Sequence, residues 1–114
     1  MGFATLTSAA ASAAALALTA QLTGEPWKPC AFNDRPIDCR EAHRGEVLQV
    51  EWRDGLAMTY TRLPEVKGQA DATYRDRLGG LWRLELFPQG NRVLTHTGNG
   101  NRIFLPLRPE GVLW

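Results

Sequence analysis

The chain offers few side chains able to do chemistry: two cysteines, two histidines and a short acidic group, and all but His96 fall between residues 30 and 43. Cys30, Cys39, His43 and His96 are residue types that bind zinc, but structural zinc sites bring their ligands in close sequence pairs, and these do not. No metal is expected. Between the cysteines runs Asn33-Asp34-Arg35-Pro36, a cluster of turn formers that would fold the chain back and bring Cys30 and Cys39 together as a disulfide. In an oxidising compartment, closing so short a loop contributes about 2–3 kcal/mol by the chain-entropy estimate, a large share of the stability of a small domain.

Asp34, Asp38 and Glu41 form the acidic group around the second cysteine. Paired carboxylates can hydrolyse glycosides or hold calcium, but glycosidase chemistry needs two of them flanking a cleft. Arg35, Arg40 and Arg44 are interleaved with these acids as ion-pair partners, so a solvated, charge-balanced loop is expected. His96 is the most interesting single residue. A catalytic histidine needs an acid, a nucleophile or a metal within reach. The serines are Ser8 and Ser12, so no serine nucleophile exists beyond residue 20. The expected role of His96 is therefore a polar core or pocket residue beside Trp82, and no catalytic residue is assigned. Gly98 and Gly100 suit a hairpin rather than a phosphate cradle, because no helix-forming segment follows them, and no cofactor is implied.

Strands must position these residues. Val47 to Trp52 and Leu56 to Leu63 flank Arg53-Asp54-Gly55; a three-residue loop pairs Val50 with Met58 and Leu48 with Tyr60, giving one apolar face. Gly55 then takes the left-handed position. Leu81 to Phe87, Asn91 to Thr97 and Asn101 to Leu107 form a second series. Pro88-Gln89-Gly90 sets Leu84 opposite Leu94 and Trp82 opposite His96, while a two-residue Asn99-Gly100 turn sets His96 opposite Ile103 and Leu94 opposite Leu105. Trp82, Leu84, Leu86, Leu94, His96, Ile103 and Leu105 thus share one face. The other face carries Phe87, Val93 and Phe104 beside Arg83 and Arg102, a candidate binding surface. Leu22 to Pro36 reads as a proline-rich entry anchored by Trp27 and Phe32, and Pro64 to Arg77 as a long surface connection or a short helix. The fold expected is all-β: a small antiparallel meander of five to six strands, as a curled sheet or small barrel.

With 114 residues the chain holds one domain. All 13 basic and 12 acidic side chains lie after Gln21, and the near-neutral balance argues against nucleic acid and against a polybasic membrane binder. The uncharged stretch 1–20 resembles a signal peptide, with small-residue sites at Ala15-Leu16-Ala17 and Leu18-Thr19-Ala20, though it lacks the usual basic start. It is too short and alanine-rich for a stable membrane span. The mature domain would be 21–114.

The runs Pro29-Cys30-Ala31-Phe32-Asn33, Phe87-Pro88-Gln89-Gly90-Asn91-Arg92 and Gly98-Asn99-Gly100-Asn101-Arg102, behind an alanine-rich leader, resemble small secreted proteins of unknown function from marine picocyanobacteria. The resemblance implies a periplasmic or extracellular setting in a photosynthetic bacterium and transfers no catalytic residue. Periplasmic lysozyme-inhibitor barrels share the plan of a small secreted β-domain with a disulfide, an analogy of fold alone. The function expected is a non-enzymatic exported module binding a protein or envelope component. An inhibitor of a secreted hydrolase and a small enzyme using His96 are the alternatives.

Overall fold

The computed structural model describes residues 22–69 and 71–108. The expected signal peptide at 1–20 and the C-terminal residues 109–114 lie outside the described residues. Eight antiparallel strands follow one another: β1 (Lys28–Phe32), β2 (Arg35–Arg44), β3 (Val47–Trp52), β4 (Ala57–Arg62), β5 (Ala72–Asp76), β6 (Leu81–Leu86), β7 (Arg92–His96) and β8 (Arg102–Leu105). The meander closes on itself, β8 pairing back to β1 through Ala31 with Phe104 and Phe32 with Ile103. Closure removes the free edges that an open sheet of this size would expose. A barrel of eight strands is just wide enough for its own side chains to fill. Here Leu48, Val50, Tyr60, Leu94, Ile103 and Leu105 do so, all buried, with the disulfide sulfurs of Cys30 and Cys39 packed among them.

The bridge runs diagonally between β1 and β2. Cys30 faces Ile37 and Lys28 faces Cys39, so the two cysteines are offset by one inward position, with Cα atoms 5.6 Å apart. The turn that permits this is Asn33-Asp34, both in the left-handed region at φ 50° and 67°, the backbone of a two-residue type I′ hairpin. Three further loops share another plan. Arg53-Asp54-Gly55, Arg77-Leu78-Gly79 and Pro88-Gln89-Gly90 each end on a glycine with φ between 93° and 98°.

The expected registers of β3 with β4 and of β6 with β7 are observed: Val50 with Met58, Leu48 with Tyr60, Leu84 with Leu94, Trp82 with His96. The last hairpin is different. Leu94 pairs with Ile103 and Arg92 with Leu105, two residues away from the expected register, and His96 lies opposite Asn101. The cause is His96 itself, whose Nδ1 accepts the backbone N–H groups of Gly98 and Asn99 at 3.0 and 3.1 Å, while Asn99 Oδ1 accepts that of Asn101. These bonds hold a four-residue loop where Asn99-Gly100 alone would make a two-residue one. A slip of two preserves the faces, so the inward set is unchanged.

Eight strands rather than five or six arise from two segments. The entry segment supplies β1 and opens β2, and the connection from Pro64 to Arg77 ends in β5, whose Ala72, Tyr74 and Asp76 face inward. The remaining connection spans residues 63–71. Outside the barrel, Trp27 is clasped between the guanidinium groups of Arg40 and Arg53, 4.4 and 4.5 Å from its ring centre.

Candidate functional site at the Glu41 end of the barrel

Strand β2 alternates Ile37, Cys39, Glu41 and His43 toward the barrel interior, and this period places a carboxylate just beyond the last apolar layer. Glu41 is 7% exposed. A buried carboxylate is tolerated only when paired. Lys28 Nζ, from the neighbouring β1, reaches Glu41 Oε2 at 2.6 Å. Across the barrel, β7 contributes Arg92, whose Nη1 and Nη2 donate to Oε1 and Oε2, each at 2.6 Å. His43 completes the group with Nε2 3.0 Å from Oε1. An ionised carboxylate only accepts, so His43 must carry its proton on Nε2. Arg92 Nη1 at 3.3 Å from that same nitrogen is then a contact between two donors.

Burial by itself raises the Glu41 carboxyl; the hydrogen bonds from His43 and Arg92, the Arg92 charge and the Lys28 bond outweigh it and hold the group well below the usual carboxylate range. Glu41 is thus an anion with one buried cation, Lys28, and one part-buried cation, Arg92, around it. Arg92 Nε is buried and has no hydrogen-bond partner.

This cluster floors a cavity of about 520 Å³, a volume within the ordinary range of ligand pockets. Its walls are apolar at the rim, where Pro26, Leu86 and Leu107 surround the charged floor, and Glu25 stands at the edge. Leu107 lies over Gly90, where a Cβ would come within 2.6 Å of its Cδ2. Its backbone N–H is held by Asn91 Oδ1 at 2.9 Å. Leu86 is 70% and Leu107 51% exposed, with Phe87 nearby at 38%. These large apolar side chains, from the end of β6, the residue that follows it and the segment after β8, stand in solvent at this end of the barrel.

The opposite end is organised by Asp76. Its Oδ2 accepts the Trp82 indole N–H at 2.9 Å and its Oδ1 the N–H groups of Leu78 and Gly80. Burial raises this carboxyl, and the bonds from Trp82, Gly80 and Leu78, helped by the nearby His96, bring it below its ordinary value. Burial and the Asp76 charge push the Tyr60 phenol up, so it stays protonated. His96 is half-buried and stacks edge-on against Trp82, ring centres 5.0 Å apart. The His96 imidazole is occupied in bracing its loop, and no nucleophile joins it in that network. A groove of about 400 Å³ beside Leu56, Phe32 and Trp52 also lies at this end, without a buried charged group.

The acidic group expected in the cysteine loop is dispersed. Asp34 pairs with Arg102 at 2.6 Å, Asp38 is exposed, and Glu41 lies inside the barrel. Its partners are Lys28 and Arg92 rather than the interleaved arginines, of which Arg40 binds Glu51 at 2.6 Å. The four residues of zinc-binding type are also separated, the cysteines in their bridge and the histidines at opposite ends. Among the described residues no group of three or more His, Cys, Asp or Glu is placed to hold a metal.

On the outward face, Val93 and Phe104 sit side by side on β7 and β8 and are half-buried. Arg102 is committed to Asp34, and Arg83 lies 3.6 Å from Asp71. Of that surface, Phe87 is the part that joins the exposed group at the Glu41 end. The sequence reading groups Glu41 with Asp34 and Asp38 in a solvated loop and passes over Lys28 and Arg92, though the alternation Cys39-Glu41-His43 carries the signal that Glu41 shares a face with the cysteine and the histidine. No family model, curated protein or solved structure matches the chain.

Proposed function

We propose that this chain is a non-catalytic exported binding module that engages a protein or envelope component at the Glu41 end of its barrel. The observation that carries this reading is the exposed apolar rim of Leu86, Phe87 and Leu107 beside a ligand-sized cavity. Contiguous apolar side chains around a concave site mark contact surfaces. Export is supported by the Cys30–Cys39 bridge, which suits an oxidising compartment, and agrees with the leader at 1–20 and the resemblance to secreted picocyanobacterial proteins. Among the described residues no helix is long and apolar enough to cross a membrane.

Capture from an envelope extract by the wild-type domain and by Leu107→Glu tests the reading. Leu107 is half in solvent, so the substitution should leave the melting temperature within a few degrees of wild type. The partners captured by the wild type should be depleted with the variant. Identical captures by the two proteins would contradict it.

A further inference from the structure

The charges on the floor of the cavity point to what it takes, since Glu25, the other acid of the lining, is exposed at the edge and screened by solvent. Lys28 and Arg92, whose side chains are 9% and 14% exposed, surround a single carboxylate, so the buried floor carries one excess positive charge. An unbalanced buried charge is costly, and a ligand that neutralises it gains accordingly. One of the three Lys28 ammonium hydrogens is spent on Glu41, which leaves the ammonium able to donate to a ligand as well. Above this floor the walls are Pro26, Leu86 and Leu107.

We infer that the cavity binds a small organic monocarboxylate, its anionic head against Lys28 and Arg92 and its apolar body against Leu86 and Leu107. The inference rests on the open-end reading given above and names the ligand chemistry of that site. A monoanion matches the single excess charge. A dianion such as phosphate overcompensates it, and Glu25 at the edge repels a dianion about twice as strongly as a monoanion. Glu41 acts as the positioning residue, holding both cations in place and taking no part in ligand contact.

Titration calorimetry with defined probes tests this on the intact domain. Butanoate, hexanoate and octanoate should bind with affinity rising about threefold per added methylene until the cavity is filled. Hexan-1-ol, hexylamine and inorganic phosphate should bind at least about tenfold more weakly than hexanoate, since a charge-assisted hydrogen bond is lost or repelled. Lys28→Met leaves Glu41 and Arg92 as a neutral pair, so the fold should persist while hexanoate affinity falls about tenfold or more; Lys28→Arg should restore it. If Lys28→Met fails to fold, Leu86→Trp, which fills the mouth from an exposed position, should block hexanoate alone. Equal affinity for hexanoate and hexan-1-ol, tighter binding of phosphate, or no binding of any carboxylate at millimolar concentration would overturn the inference. Those results leave the rim reading standing wherever capture still depends on Leu107; loss of that dependence sinks the rim reading separately.

Discussion

Glu41 is the residue on which most of the charged interior depends. Removing its charge by Glu41→Gln leaves Lys28 and Arg92 buried without a counter-ion, and breaking a buried pair in this way costs about 3–5 kcal/mol. Chemical denaturation at neutral pH should report a loss of that size. The pH dependence has a defined sign. Folding lowers the Glu41 carboxyl from an ordinary 4.5 and the Asp76 carboxyl from an ordinary 3.8. Their stabilisation is therefore complete above those values and is lost as pH falls below them toward the folded-state values. Wild-type stability should decline steadily below about pH 4.5, and Glu41→Gln should flatten the part of that decline that belongs to Glu41. A parallel decline in the two proteins would show that Glu41 is not held as an anion. His96 has a different task, and His96→Ala should destabilise by about 0.5–1.5 kcal/mol through the loss of its bonds to two exposed loop amides, with amide exchange quickening first at Gly98 and Asn99.

At the scale of elements, the loops decide the fold. Gly90 ends a three-residue loop at φ +93°, and Leu107 closes over it where a Cβ would stand. Gly90→Ala meets both the left-handed penalty and that contact, so a loss of about 1–2 kcal/mol or more is expected. Gly45→Ala, also left-handed but facing open space, should cost less; equal losses by thermal melts would show that the Leu107 contact is immaterial. Loops of this kind were legible because glycine at the third position of a short polar loop selects a register, and Gly55 and Gly90 did so correctly. Asn99-Gly100 misled because the competing signal, a histidine side chain accepting two loop amides, has no sequence pattern. Strands β1, β2 and β5 were hidden for a different reason. Pro29 and Pro36 interrupt the first pair, and the inward positions of β2 and β5 include Glu41, His43 and Asp76, which break the alternation of apolar and polar that marks a strand. The Glu41 cluster was hidden more deeply. Arg92 is 51 residues from Glu41 in sequence, and strands β1 and β8 separate their two strands in the barrel wall. Only closure brings them together.

At the scale of the whole molecule, the described residues form one small closed wall with a filled centre, distinct ends and a single covalent brace. Opening the Cys30–Cys39 bridge by Cys30→Ala with Cys39→Ala should lower stability by about 2–3 kcal/mol from chain entropy, read in denaturant with the oxidised wild type as reference; no loss would mean that the β1–β2 hairpin needs no brace. The two ends differ in kind. Asp76 and His96 at one end serve tight turns, whereas Glu41, Lys28 and Arg92 at the other floor a cavity with an exposed apolar rim. Leu56 and Leu78, the two most exposed leucines of the turn end among the described residues at 68% and 81%, are the natural controls for that distinction. The most direct measurement is site-specific photocrosslinking in an envelope extract, with the photoreactive side chain placed in turn at positions 86, 107, 56 and 78. Discrete adducts from 86 and 107, absent from 56 and 78, are the predicted result. Adducts confined to 56 and 78, or the same adducts from all four positions, would contradict a binding site at the Glu41 end.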